Sequence, residues 1–197
     1  MTAADAELLA RQDRLQREAS ELADDLRLDQ ILARAGRVAR VGSVVTGLMV
    51  WRDLDVVVDA PGLSAAAAFE TMLPLLARCR TARYEDDAKD GRHYFVLRLR
   101  SRTGGEWKLD VSFFVAGVPP GVPTFQAEVR DRLTPETRLV VLRLKDAWFR
   151  NPAYPEVVGG YEICDAVLNH GVRTLSELDT YLRARGLPAA SSRLGER

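Results

Sequence analysis

The chain predicts an α+β fold: a small mixed sheet with flanking helices, followed by a C-terminal helical lobe. Three observations lead there. Residues 3–35 contain no Gly or Pro and are dense in Ala, Leu, Arg, Glu and Asp, a strong helix composition. Between positions 38 and 114 lie four short apolar or alternating runs bounded by turn residues, as strands are. Beyond the Pro/Gly cluster at 117–123 every regular element that the sequence signals is a helix.

In the first helix Leu8, Leu15, Ala19, Leu22 and Leu26 follow three-, four- and seven-residue steps and form one apolar stripe. The stripe predicts a helix packed on the flank of the domain, with a coiled-coil homodimer contact as the alternative. Gly36 reads as its C-cap. Val38 to Val41 is a short strand running into Gly42-Ser43, and a helical turn through Gly47 leads to the strand Asp53 to Val58. After the turn residues Asp59 to Gly62, Ser64 caps an Ala-rich helix that Pro74 should kink or shorten. Glu85 to Gly91 reads as a polar loop.

Tyr94 to Arg100 alternates, with Phe95, Leu97 and Leu99 on one face and Val96, Arg98 and Arg100 on the other. Past the turn Thr103-Gly104-Gly105, Trp107, Leu109, Val111 and Phe113 share one face, and Lys108, Asp110 and Ser112 the opposite one. The pair reads as a hairpin. Thr134-Pro135 opens a helix to about Arg150, and Asn151 to Gly160 is a loop. Tyr161 to His170 is a helix closed by Gly171, and Thr174 to Glu177 is a capping box opening the last one. The last ten residues read as a tail. The expected organisation is therefore an N-terminal helix over 1–36, a sheet domain over 37–116, a linker over 117–133 and a helical lobe over 134–187.

Composition narrows the function. Acidic and basic residues balance at 28 each, so no global field favours a nucleic-acid backbone. Cys79 and Cys164 lack metal-ligand spacing and read as reduced thiols. No apolar run approaches a membrane span and the N-terminus has no signal-peptide core, which predicts a cytoplasmic protein with no membrane partner.

Asp53 and Asp55 lie two apart on an apolar strand, so both leave the same face, roughly 6.5 to 7 Å apart at Cα. Asp110, on the polar face of another strand, can converge with them. Three crowded carboxylates stay ionised at neutral pH only with cations nearby. All-oxygen ligands without His or Cys select Mg²⁺ or Mn²⁺. Gly42 allows close backbone approach, and Ser43 at a helix start offers amide and hydroxyl donors to a phosphate.

Gly42-Ser43, a nine-residue spacer, Asp53-x-Asp55 and a third acid, Asp110, on a neighbouring strand together resemble the polymerase-beta-like nucleotidyltransferase superfamily. The arrangement is similar to its small bacterial members, the aminoglycoside, lincosamide and minimal toxin–antitoxin enzymes. They often carry Ser where Arg52 precedes the acidic strand here. The resemblance implies an enzyme whose catalytic domain is the segment 37–116 and whose metal ligands are Asp53, Asp55 and Asp110, with Asp110 also the general base. Gly42, Ser43 and, from the helical lobe, Lys145 would bind the co-substrate, ATP or another nucleoside triphosphate. The implied reaction moves AMP to a hydroxyl or amine, and compactness and balanced charge favour a small-molecule acceptor. The alternatives are a toxin- or antitoxin-type transferase acting on tRNA or protein, and a non-catalytic nucleotide-binding module. Lys108 shares the Asp110 face and can balance its charge or meet a phosphate.

Overall fold

The computed structural model describes residues 2–87, 89–102, 105–119, 121–155 and 157–189. Ala88, Thr103 and Gly104 of the expected turns, Pro120 of the expected linker, and the tail from 190 onwards lie outside the described residues.

Helix α1 (Ala3–Leu26) opens with a reciprocal cap in which Thr2 and Asp5 satisfy each other's backbone N–H. The predicted stripe is buried within the chain itself. Leu15, Ala19, Leu22 and Leu26 enter a core beneath the sheet, and Leu8 enters a second core among the C-terminal helices. At roughly 1.5–3 kcal/mol for each buried Leu, this burial ties α1 to both halves of the chain. The helix was expected to reach Ala35. It instead breaks at Arg27, whose left-handed backbone (φ 51°) caps Ala23 and Asp24, before α2 (Leu28–Leu32). The break lets Leu26 and Leu28, two residues apart, both be buried. Gly36 is not a left-handed cap either. A Cβ there would lie 2.0 Å from the Asp59 carbonyl oxygen, so the glycine permits close passage of two backbones.

Five strands form one mixed sheet in the order β1-β2-β5-β4-β3. These are β1 (Arg37–Val41), β2 (Asp53–Asp59), β3 (Thr81–Asp87), β4 (Arg92–Arg100) and β5 (Glu106–Phe114). β2 and β5 pair in parallel and the other neighbours pair antiparallel. One face, with Leu54, Val56, Phe95, Leu97, Trp107 and Leu109, packs on α1, α2 and α4 (Ala65–Leu76). Glu85 to Asp87, expected in a polar loop, instead end the strand β3. Its residues are mostly exposed because it is an edge strand, and edge strands carry charge that discourages pairing with other chains. Ser64 caps α4 as expected, and the helix ends two residues past Pro74, whose missing N–H removes one bond to the preceding turn.

The stretch taken as a linker contains a helix, α5 (Gly121–Arg132). Its Pro- and Gly-rich start is a helix N-terminus, where a missing proline N–H costs nothing. Then come α6 (Pro135–Trp148), α7 (Gly160–His170) and α8 (Leu175–Ala184), with the Thr134 and Thr174 caps and a left-handed Gly171 as expected. Val141, Leu144, Trp148, Ile163, Val167 and Leu182 make their core, joined by Leu48 and Val50 from the loop entering β2. Among the described residues, no helix is long and apolar enough to cross a membrane.

Candidate active site

Register decides the geometry. The parallel pairing of β2 with β5 sets Asp55 opposite Asp110 and Asp53 opposite Lys108, all on the face turned away from the sheet's own core. One oxygen from each of Asp53, Asp55 and Asp110 lies within 4.8 Å of the others. Asp53 and Asp110 are each only 8% exposed. Asp110 Oδ2 accepts from Tyr94 Oη at 2.7 Å and from Lys108 Nζ at 2.6 Å, and Lys108 Nζ is 3.7 Å from Asp53 Oδ1. Buried Asp53 Oδ1 and Asp110 Oδ1 accept no hydrogen bond. Buried, unpaired carboxylate oxygens are costly, and an all-oxygen pocket of this kind fits Mg²⁺ or Mn²⁺ held by these three residues.

The electrostatics reflect the crowding. Burial first, and then repulsion from Asp55, push the Asp53 carboxyl well above the ordinary range. Burial and Asp110 raise Asp55 to about 6. Burial works against the Lys108 ammonium, but Asp53 and Asp110 outweigh it and keep its pKa above the usual lysine value. In the opposite sense, burial lowers Lys145.

Beside the carboxylates, Gly42 leaves β1 with φ 73°, and the short helix α3 (Ser43–Thr46) ends on left-handed Gly47. Three side chains hold this turn from behind. Gln16 Nε2 donates to the Val44 carbonyl at 2.7 Å, Arg138 Nε to that of Gly47 at 3.2 Å, and Lys145 Nζ to that of Leu48 at 2.7 Å. Arg138 also donates to Gln12, which is buried in α1. The turn is therefore fixed by α1 and α6 together.

A cleft of about 250 Å³ opens over these groups. The sheet supplies Asp53, Asp55, Lys108 and Asp110, and the turn supplies Gly42 and Ser43. Phe125 of α5, Lys145 of α6, and Tyr161 and Cys164 of α7 complete the wall. All six site residues expected from sequence thus line one cavity. Burial raises the Cys164 thiol to about 11, against the pull of Lys145.

Several charged and aromatic side chains serve packing instead of the cleft. Arg52 donates to Glu18 of α1 at 2.8 Å, so it ties helix to sheet. Arg102 pairs with Asp25 on the α1 side, while Arg98 stays on the carboxylate face, opposite Lys108, with its guanidinium 6.0 Å from the Trp51 ring centre. The acidic run at β3 lies at the far edge of the sheet, where Asp87 pairs with Arg92. Trp148 is core, whereas Tyr161 is 60% exposed and packs tilted against Phe125, with ring centres 4.7 Å apart.

Tyr94 and Tyr154 at the cleft were missed from sequence. Alternation along β4 carries the signal for Tyr94, since it shares parity with Val96 and Arg98 on the carboxylate face. No local pattern points to Tyr154, which sits in the loop between α6 and α7.

No known family profile matches this sequence, and no curated protein does. Solved structures do match. The Cid1 poly(U) polymerase superposes with a TM-score of 0.58 at 18% identity, over 81% of this chain and 50% of that one. A cytoplasmic RNA terminal U-transferase gives 0.57 at 18% identity, over 80% and 49%. Cid1 with Mg 3′-dATP bound gives 0.53 at 20%, over 80% and 49%. The chain spans about half the length of these proteins. Sheet order, the convergence of the three aspartates and these superpositions agree: the chain has the fold of the polymerase-beta-like nucleotidyltransferases.

Proposed function

We propose that this chain is a metal-dependent nucleotidyltransferase, moving a nucleoside monophosphate from a nucleoside triphosphate to a hydroxyl and releasing pyrophosphate. The observation that carries the reading is the meeting of Asp53, Asp55 and Asp110 beside the Gly42-Ser43 turn in one cleft. A divalent ion bound there would neutralise the leaving pyrophosphate and acidify the attacking hydroxyl. Asp53 and Asp55 would hold that ion, and Gly42 and Ser43 would seat the phosphates. Asp110 keeps Oδ2 engaged by Tyr94 and Lys108, which leaves Oδ1 to serve the ion and to receive the proton of the acceptor. The acceptor oxygen bonds to the α-phosphorus as the bond to pyrophosphate breaks. Exposed Tyr161 at the mouth of the cleft offers a face for the nucleobase. Lys145 reaches a phosphate only by sharing or leaving the Leu48 carbonyl.

For the acceptor we put an RNA 3′ hydroxyl ahead of the small molecule that composition favoured. Its support is the fold shared with a poly(U) polymerase and an RNA terminal U-transferase, and Cid1 in complex with its short product ApU. The small-molecule reading rests on the balanced charge and on the pairing of Arg102 with Asp25 on the α1 side, which leaves Arg98 and Arg100, of the expected basic rim, beside the carboxylates.

The test is transfer of α-labelled ATP and UTP, with Mg²⁺, to short RNAs and to small polyhydroxyl or amino acceptors. Label is expected on an acceptor with wild type and not with Asp53→Asn or Asp110→Asn. Nucleotide binding without transfer to either class would favour a non-catalytic binding module.

A further inference from the structure

Lys108 sits where a cation belongs. It faces Asp53 across the parallel ladder and lies two residues before Asp110 on the same face of β5. Its ammonium is 2.6 Å from Asp110 Oδ2 and 3.7 Å from Asp53 Oδ1. The residue is only 5% exposed, and the ring of Trp51 lies 5.7 Å from Nζ. A lysine so enclosed is part of the carboxylate cluster and not a solvated neighbour of it.

We propose that Lys108 is a built-in cation of the site, filling the place of one divalent ion so that the nucleotide-free protein binds a single ion. The inference rests on the transferase reading for its chemistry, but its geometry is that of the cluster alone. One divalent ion together with the Lys108 ammonium balances three carboxylates. A second divalent ion would leave two uncompensated positive charges in a buried site, where unpaired charge is strongly disfavoured. That second ion becomes acceptable only when a triphosphate brings its own negative charge. Lys108 thereby orders the sequence of binding: the first ion goes to the bare cluster, and the second arrives with the nucleotide. Its long, flexible stem lets the ammonium give way when that happens.

The experiment counts Mn²⁺ bound to the full chain by the loss of the free-ion electron paramagnetic resonance signal. Wild type, Lys108→Met and Lys108→Arg are compared without nucleotide, and wild type with a non-hydrolysable triphosphate. Wild type should bind one ion alone and a second with nucleotide. Lys108→Met should take two ions without nucleotide and hold the first at least about tenfold more tightly, since an adjacent buried positive charge has gone. Lys108→Arg should follow wild type. Two ions on wild type without nucleotide overturn the proposal, as does a Lys108→Met protein with unchanged count and affinity. The wild-type arm stands even if the methionine variant does not fold. Transfer activity separates the two claims: the expected ion counts without transfer to any acceptor leave Lys108 as assigned and remove the transferase. Transfer by a wild type that holds two ions without nucleotide does the reverse.

Discussion

Gly42 and Asp55 are in contact to the point that a methyl group on the glycine would lie 2.4 Å from Asp55 Oδ2. The backbone there has φ 73°, a region that L side chains rarely adopt. Gly42→Ala therefore carries two penalties, backbone strain of roughly 1–3 kcal/mol and displacement of a carboxylate. We expect a folded protein with at least about tenfold weaker Mn²⁺ binding and transfer, each about 1.4 kcal/mol per decade. Circular dichroism and Mn²⁺ titration check this, and unchanged ion affinity would separate Gly42 from the metal site.

Asp55 predicts how the metal-free protein responds to pH. Its carboxyl is raised to about 6, chiefly by burial and then by Asp110. Its pKa in the unfolded chain is near 3.9. The native state therefore binds the proton more tightly, so the contribution to stability is full below pH 3.9 and is lost as pH rises through 6. With a chelator present, melting temperature should fall from about pH 4 to about pH 6 and level off above that. Asp55→Asn should flatten that slope, and saturating Mg²⁺ should reduce it in wild type. A slope equal in wild type and variant would contradict the assignment.

Arg138 joins Gln12 of α1 to the Gly47 carbonyl. Arg138→Ala leaves both acceptors short of a donor, a cost of about 1–3 kcal/mol. It also loosens the turn that seats the phosphates. The expected result is a lower melting temperature together with a raised KM for nucleotide and a nearly preserved kcat. Arg138→Lys, which keeps one donor, should recover part of both. A loss confined to stability would make α1 a structural strap only.

Tyr161 is exposed and rests at a tilt against Phe125 at the cleft, so its removal tests binding without disturbing the core. Tyr161→Ala should raise KM for nucleotide about tenfold, in line with the roughly 1–3 kcal/mol of base–aromatic stacking. The melting temperature should hold, and Tyr161→Phe should behave as wild type. A KM that does not move places the base elsewhere.

How much of this could be read from the chain depended on the range of each signal. Asp53, Asp55 and Asp110 were legible because strand alternation is local, and it assigns each side chain a face without knowledge of the neighbours. Their meeting rests on the register of β2 with β5, which no local pattern contains and which only the family resemblance supplied. β3 was hidden because an edge strand such as Thr81 to Asp87 is as polar as a loop. α5 was hidden because Gly and Pro mark both linkers and helix starts. The break at Arg27 had no glycine to announce it, since packing of Leu26 and Leu28 imposes it. Arg52 read as an open question because its partner, Glu18, is far away in sequence.

The central claim is that three carboxylates from two strands hold a divalent ion beside the Gly42-Ser43 turn. Anomalous diffraction from crystals grown with Mn²⁺ and a non-hydrolysable triphosphate tests it most directly. The account predicts manganese within bonding reach of Asp53, Asp55 and Asp110, with the phosphates against Gly42 and Ser43. Manganese bound away from these aspartates, or a nucleotide seated outside the cleft, would contradict it.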